Sequence, residues 1–266
     1  LKEAIMNRIA KVIRLHPNQP LLPLKLRIAN QYYYLRERLR GIPLPPTTMM
    51  NLVTGNYIAQ WYVDSGARAA QSVRETIEKS HFSMSGITAI LDFGCGCGRV
   101  LRHWKPIAQR VQLHGTDYNS ELTYWARKTV PFAQIMQNNL APPLAYADNT
   151  FDLIYALSTF THWTVELQKR WIREFTRILK PQGFLLLTTH GDYYLNALTP
   201  DEQKLYQAGH PIVRYDEQVG TNTCGAFHPY QYVTTELRQN LTIEQFYPRS
   251  ALGNPWQDIF LLRKPA

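Results

Sequence analysis

A chain of 266 residues with 29 Lys and Arg against 20 Asp and Glu carries a formal net charge of +9, and its length suits one large domain with an appended element. With 45% hydrophobic and 18% charged residues it is not a disordered chain, and no apolar run approaches the ~20 residues of a membrane-spanning helix. The charge is uneven: Lys2, Arg8, Lys11, Arg14, Lys25, Arg27, Arg36, Arg38 and Arg40 face only Glu3 and Glu37 in residues 1–40, and the remainder is nearly balanced. That distribution argues against a nucleic-acid groove over the main domain, and no nucleic-acid partner is expected.

In chain order, Leu1 to Leu15 is expected to be a helix with Leu1, Ile5, Ile9 and Val12 on one face, and Leu21 to Leu39 a second. Both are amphipathic and basic. They suit docking on an anionic membrane surface, contact with a partner through residues 1–40, or capping of the domain. Ile42-Pro43-Leu44-Pro45-Pro46 breaks the pattern, and a long helix is expected from Asn56 to Lys79 with Ile58, Trp61, Tyr62, Ala69, Val73 and Ile77 facing inward. Strands follow near 88–93, 111–116, 132–136, 151–156 and 183–189, separated by helical segments, which implies a mostly parallel sheet covered on both faces. Residues 241–247 and 258–263 read as a closing strand pair. Gly191 to Tyr232 is turn-rich, aromatic and without sustained periodicity, the signature of a functional lid.

The most specific stretch is Leu91-Asp92-Phe93-Gly94-Cys95-Gly96-Cys97-Gly98-Arg99, where an acidic residue and three alternating glycines stand between an apolar strand and the helix expected from Val100, Leu101 and Trp104. Glycines let backbone approach a ligand and take positive φ at a tight turn. Asp117 ends the next apolar run, at the offset where an acidic residue meets ribose hydroxyls in nucleotide-binding α/β folds. Cys95 and Cys97 are too close for an ordinary disulfide, Cys224 stands alone, and half a metal site without a second pair is weak, so packing thiols in a reducing compartment fit best. The N-terminus has no uninterrupted apolar signal stretch, and a cytoplasmic location is expected.

The spacing Asp-x-Gly-x-Gly-x-Gly resembles motif I of the class I S-adenosylmethionine-dependent methyltransferases. Phe151-Asp152-Leu153-Ile154-Tyr155-Ala156 is similar to that family's fourth strand, and Lys180-Pro181-Gln182-Gly183 followed by Phe184-Leu185-Leu186-Leu187 to its helix-to-strand turn, with Gln182 in place of a glycine. The resemblance covers residues 86 to 190. It implies an α/β fold: a Rossmann-like sheet, mostly parallel and closed by an antiparallel strand, with a helical N-terminal cap. On that basis residues 1–80 are expected to form the basic cap and 81–266 the Rossmann-like domain, with the lid-like insertion at about 191–232.

The resemblance also implies S-adenosyl-L-methionine as cofactor, held by Asp92 through its ammonium group and by the backbone of Gly94, Gly96 and Gly98. Asp117 is expected on the ribose, Tyr118 beside the adenine, Asn138, Asn139 and Leu140 near its amino group, and Ser158 at the cofactor's reactive end. Asp117 could equally cap the following helix, and the asparagines could be turn formers. His162, His190 and His228 each follow a strand or lie in the lid, and each is a candidate general base or, alternatively, a packing histidine. Phe160, Trp163, Tyr193 and Tyr230 are candidates for contact with a small-molecule acceptor. No metal is expected. The function implied is methyl transfer, foremost to oxygen of a small organic acceptor; nitrogen or carbon acceptors, a membrane-associated lipid or quinone, and a non-catalytic cofactor-binding subunit are the alternatives.

Overall fold

The computed structural model describes residues 23–254 and 256–266. The expected helix over Leu1 to Leu15 lies outside the described residues. The chain divides into two compact units, one ending at Gln60 and one spanning Trp61–Ala266.

In the first unit, helix α1 (Leu24–Leu39) starts where Pro23, with φ −49°, fixes the entry. The proline-rich stretch then leads to a short helix α2 (Thr47–Thr54), which closes on Gly55 in the left-handed conformation. The pattern of prolines gave no warning of α2. Asn30 of α1 holds its unit together: its amide donates to the Tyr57 carbonyl at 3.0 Å and accepts from the Ala59 N–H at 2.8 Å. Tyr34 donates to the Pro45 carbonyl at 2.7 Å.

Helix α3 (Ala59–Lys79) runs on into the second unit, where Ala69, Val73 and Ile77 are buried as their helical spacing predicts. Seven strands form one sheet in the order β3-β2-β1-β4-β5-β9-β8. Strands β1 (Ala89–Phe93), β2 (Gln112–Asp117), β3 (Gln134–Gln137), β4 (Phe151–Ala156) and β5 (Leu179–Thr189) are parallel neighbours. Strand β9 (Asp258–Arg263) is antiparallel to β5 and to β8 (Thr242–Tyr247), so β9 alone runs against the rest. A two-stranded ladder of β6 (Ile212–Arg214) and β7 (Gly225–Phe227) lies in the lid segment.

Side-chain alternation divides the core into two layers. Ile90, Leu113, Leu153, Tyr155, Leu186 and Leu261 pack on one face with α3 and Trp104. Leu91, Phe93, Ile154, Leu185, Leu187 and Phe260 pack on the other, against helix α5 (Val165–Ile178) through Leu167, Trp171, Phe175 and Ile178. Helix α4 (Ser120–Thr129) connects β2 to β3, with Asn119 capping the N–H groups of Glu121 and Leu122.

Three local readings differ from the sequence expectation. After the glycine loop the chain forms a 3-10 segment, Leu101–Ile107, in place of an α-helix; Pro106 inside it cannot donate to the preceding turn. The lid segment contains helix α6 (Pro200–Gln207), opened by a capping box between Thr199 and Glu202. The first two residues of the expected strand near 132–136 fall outside β3, as a turn in front of it. Gln182 explains its own oddity: its φ is +65°, the left-handed conformation for which glycine is the usual occupant.

Candidate active site

All five parallel strands end on one edge of the sheet, and the loops that leave them build the site. The loop after β1 folds back on the end of β2, where the N–H groups of Gly94 and Cys95 both donate to the Thr116 carbonyl, at 2.8 and 2.9 Å. Gly94, Gly96 and Gly98 have φ of +74°, +54° and +82°. A Cβ on Gly94 would lie 2.3 Å from Cγ2 of Thr159, so that position tolerates no side chain. The Asp117 carboxylate accepts from the Gly96 N–H and from the Asn119 N–H, each at 2.9 Å. Burial pushes the Asp117 carboxyl up, against the pull of those backbone N–H groups. Asp117 thus ties the glycine loop to the turn before α4, whose cap is Asn119 and not Asp117, the alternative that its sequence position left open.

Asp92 is almost fully buried, and its Oδ2 has no hydrogen-bond partner. Burial lifts its pKa to about 7; the Tyr155 hydroxyl and the Arg99 guanidinium pull it down, and Asp117 pushes it up. Tyr155 lies beside Asp92 without reaching good hydrogen-bond geometry, since its own hydroxyl is also unpaired. Arg99 is anchored elsewhere: it donates to Ser65 Oγ at 3.1 Å, to the Gly253 carbonyl at 3.3 Å and to Asn254 Oδ1 at 2.8 Å. Cys95, Cys97 and Cys224 are buried free thiols; Cys97 Sγ sits 3.2 Å from the Tyr62 hydroxyl.

Tyr118 donates to the Gly220 carbonyl at 2.6 Å, and the Gly220 N–H donates to the His162 carbonyl at 2.8 Å. The Leu140 side chain meets Gly220 as well, and its carbonyl accepts from Trp171 Nε1 at 3.0 Å. One lid residue therefore links the loops after β2, β3 and β4. Asn138 donates its N–H to the Asp117 carbonyl and its amide to the Asn139 carbonyl, leaving a buried Oδ1 without a partner.

At the other end of the sheet edge, Ser158 has φ +60°, an uncommon conformation for a residue with a side chain. Three contacts hold it there. Its N–H donates to Thr188 Oγ1 at 2.7 Å, its hydroxyl accepts from Gln257 Nε2 at 2.7 Å, and Thr188 Oγ1 donates to Gln257 Oε1 at 2.7 Å. Gln257 Nε2 also lies 3.4 Å from His190 Nε2. An amide NH2 can only donate, so that contact places the His190 proton on Nδ1.

The three histidines of the sequence reading are brought together, each within electrostatic reach of the next. His162 Nδ1 is 2.8 Å from the Cys224 carbonyl, which only accepts, so Nδ1 carries the proton and Nε2 offers its lone pair. Burial holds the His162 pKa below its usual range, with the Cys224 carbonyl opposing. His190 is pushed down to about 4 by burial and by His162; the Ala226 carbonyl opposes this, although Nδ1 falls short of hydrogen-bond geometry. His228 is 1% exposed, both ring nitrogens are unpaired, and burial with His190 nearby lowers it to about 3. All three imidazoles are neutral at pH 7. Among the described residues no group of three or more His, Cys, Asp or Glu is arranged to hold a metal ion.

Of the four expected acceptor contacts, two are corrected. Phe160 and Trp163 are buried in the core layer under β4, with Trp163 stacked on Trp171 at 5.7 Å and 18°. Their apolar bulk was the misleading signal, since core packing asks for the same residues. Tyr230 is half exposed and leans on Phe246 and Phe260 of the outer strands. Tyr193 stands at the histidine end: it stacks on Trp256 at 5.0 Å, and its neighbour Tyr194 lies 4.3 Å from the His190 ring. Trp256 has φ +69° and immediately precedes Gln257. Gln257, Thr188 and Trp256 were missed by the sequence reading. The parallel strands reach this edge through the residues that follow them, whereas the antiparallel β9 reaches it through the residues that precede it.

A parallel sheet closed by one antiparallel strand, with a glycine-rich loop after β1 and an acidic residue ending β2, is the fold of the class I S-adenosylmethionine-dependent methyltransferases. Residues 91–187 match the family described as "Methyltransferase domain", and the chain carries that domain. It is 28% identical over 160 residues to a demethylmenaquinone methyltransferase of Thermotoga maritima, covering 59% of this chain and 65% of the relative. It is 26% identical over 163 residues to a malonyl-[acyl-carrier protein] O-methyltransferase of Pectobacterium atrosepticum, covering 58% and 62%. The chain thus spans less than two thirds of the length of these relatives. Its fold is shared with an S-adenosylmethionine-dependent methyltransferase from Mesorhizobium loti, at TM-score 0.54 and 16% identity over 73% of this chain and 98% of that one.

The motif resemblance implies S-adenosylmethionine as the cofactor of this domain. The residues present fit it on two observations. Asp92 Oδ2 is a buried carboxylate oxygen without a donor, which an ammonium group or its water supplies, and Gly94 leaves bare backbone where a side chain has no room. Asp117 keeps lone pairs for ribose hydroxyls beyond the two that its backbone partners use.

Proposed function

We propose that this protein transfers a methyl group from S-adenosylmethionine to an oxygen of a small organic acceptor, with His162 as the general base. The observation that carries this reading is the cluster of neutral imidazoles beside Ser158, at the edge of the sheet next to the glycine loop. When bound, the cofactor supplies a methyl group already activated on a positively charged sulfur. The chain has to align the acceptor oxygen and remove its proton.

His162 Nε2 is free to accept that proton, because Nδ1 is committed to the Cys224 carbonyl. Its lowered pKa keeps it unprotonated at neutral pH. His190, fixed by Gln257, is the second candidate, but at about 4 it is a weaker base. Ser158 is locked by Thr188 and Gln257, and its hydroxyl can orient either the cofactor's reactive end or the acceptor. Tyr193 and Trp256 form a half-exposed aromatic wall against which a planar acceptor can lie. The oxygen reading also agrees with the name of the malonyl-[acyl-carrier protein] O-methyltransferase relative.

The test is His162→Ala, assayed with labelled S-adenosylmethionine over a broad acceptor panel, with the methylated atom identified in the product. Turnover should fall by ~10²–10⁴-fold while S-adenosylhomocysteine affinity changes little. Full turnover in the variant removes His162 as base, and products methylated on nitrogen or carbon remove the oxygen assignment. Cofactor binding without transfer to any acceptor would favour a non-catalytic subunit. A second reading, a membrane-associated lipid or quinone acceptor, is favoured by the demethylmenaquinone relative and by the outward apolar face of α1.

A further inference from the structure

Helix α1 presents its apolar residues to solvent. Leu24, Ile28, Tyr32, Leu35 and Leu39 are between 59% and 79% exposed. At 3.6 residues per turn they fall within roughly 80° of arc, on the side opposite the buried Asn30 and Glu37. A helix that buries polar residues and exposes a continuous apolar stripe has the reverse of the usual orientation for a solvated helix. Isolated exposed apolar residues need no explanation, whereas five in one stripe do.

The flanks of the stripe are basic on both sides. By the same geometry Arg27 and Arg38 border it on one side and Lys25 and Arg36 on the other. Arg36 lies over the Tyr33 ring at 4.2 Å and pairs with Glu37, which is the only acid in α1 and lies on the buried side. Arg38 and Lys25 are exposed. Leucines in the middle, cations at both edges and no exposed acid describe a helix that lies in the plane of a membrane interface.

We propose that α1 docks this protein on an anionic lipid surface, with Leu24, Ile28, Tyr32, Leu35 and Leu39 inserted at the headgroup boundary and the flanking Arg and Lys side chains on lipid phosphates. Charge selects this occupant over the two others that could cover the stripe. Residues 1–22 carry Lys2, Arg8, Lys11 and Arg14 against Glu3 alone, and a second copy would bring a second basic helix; both set like charge against like. An anionic bilayer complements all of them. This proposal stands whether or not the chain methylates an oxygen, because it concerns where the protein sits.

The experiment is flotation of the full 266-residue chain with phosphatidylcholine vesicles, with and without phosphatidylglycerol. The chain should float only with the anionic vesicles, and added salt should release it. The double variant Ile28→Glu with Leu35→Glu should bind at least ~10-fold more weakly, and Arg27→Glu with Arg38→Glu should do the same. Ile28, Leu35 and Arg38 are exposed and Arg27 is half-buried, so retained thermal melting and retained S-adenosylhomocysteine binding mark an intact fold. Failure of the wild-type chain to float overturns the proposal, as does equal flotation of the Ile28/Leu35 variant. A concentration-dependent dimer that this variant abolishes, with no vesicle binding, assigns the stripe to a second copy and overturns it as well.

Discussion

The two ends of the site's sheet edge are built in different ways. The end proposed for the cofactor, over the loops after β1, β2 and β3, is made mostly of backbone: glycines with positive φ, amides donating to Thr116 and Asp117, and one buried carboxylate. The end proposed for the acceptor, over β4, β5 and β9, is made of side chains drawn from distant parts of the chain, such as Gln257 meeting Ser158 across 99 positions. A backbone cradle suits a ligand that never changes, and a side-chain wall can be rebuilt for a new acceptor without disturbing it.

The sharpest way to break this contrast is at the cradle. Gly94→Ala places a methyl where Thr159 already stands, at a φ that costs a side chain about 1–2 kcal/mol before the clash is counted. Calorimetry should show no measurable S-adenosylhomocysteine binding, with a lowered melting temperature. Normal affinity in that variant would mean that the loop is not the cradle. Asp117→Ala removes one or two charged-group hydrogen bonds to the ribose, of about 1.5–3 kcal/mol each, so affinity should drop by at least ~10-fold. His162→Ala should leave affinity almost untouched, and the pair of variants separates the two ends.

A pH series sharpens the comparison. Asp92 titrates near 7 in the free protein and must be ionised to hold an ammonium group, so below pH 7 binding has to remove a proton. S-adenosylhomocysteine affinity should therefore fall as pH drops below 7, approaching ~10-fold per unit, and Asp92→Asn should flatten that slope while weakening binding throughout. An unchanged slope in Asp92→Asn assigns the titration to another group.

The acceptor end is tested through stability. His228 titrates near 3 when folded and near 6.5 when unfolded, so the unfolded chain takes up the proton first as pH falls. Its contribution is complete above pH 6.5 and declines toward pH 3, by at most roughly 5 kcal/mol. Asp92 acts in the opposite direction below pH 7, since its raised pKa favours the folded protein as it protonates. The melting temperature of His228→Leu should consequently fall less between pH 6.5 and 4 than that of the wild-type chain. A parallel fall in both removes His228 as an acid-sensitive group.

What the sequence disclosed follows the same division. Asp92, the glycine loop and Asp117 are legible because local backbone chemistry demands glycine and carboxylate at fixed spacing. The mostly parallel sheet is legible as well, because alternating strands and helices leave few ways to wind it. His162, His190 and His228 could be found from their places after strands, but nothing local said that they were neighbours. Phe160 and Trp163 misled, because a buried aromatic and a substrate-facing one have the same one-letter signature. Gln257 and Trp256 were invisible: their roles arise only when β9 returns antiparallel and places its start at the site. The outward stripe of α1 was half visible, since an amphipathic basic helix could be read but not which face it buries.

The most direct test of the account is a calorimetric titration of the whole chain with S-adenosylhomocysteine, with NAD as a matched control. The glycine loop, Asp92 and Asp117 predict binding of S-adenosylhomocysteine alone; binding of NAD in its place, or of neither, would contradict the assignment of this edge of the sheet to the cofactor.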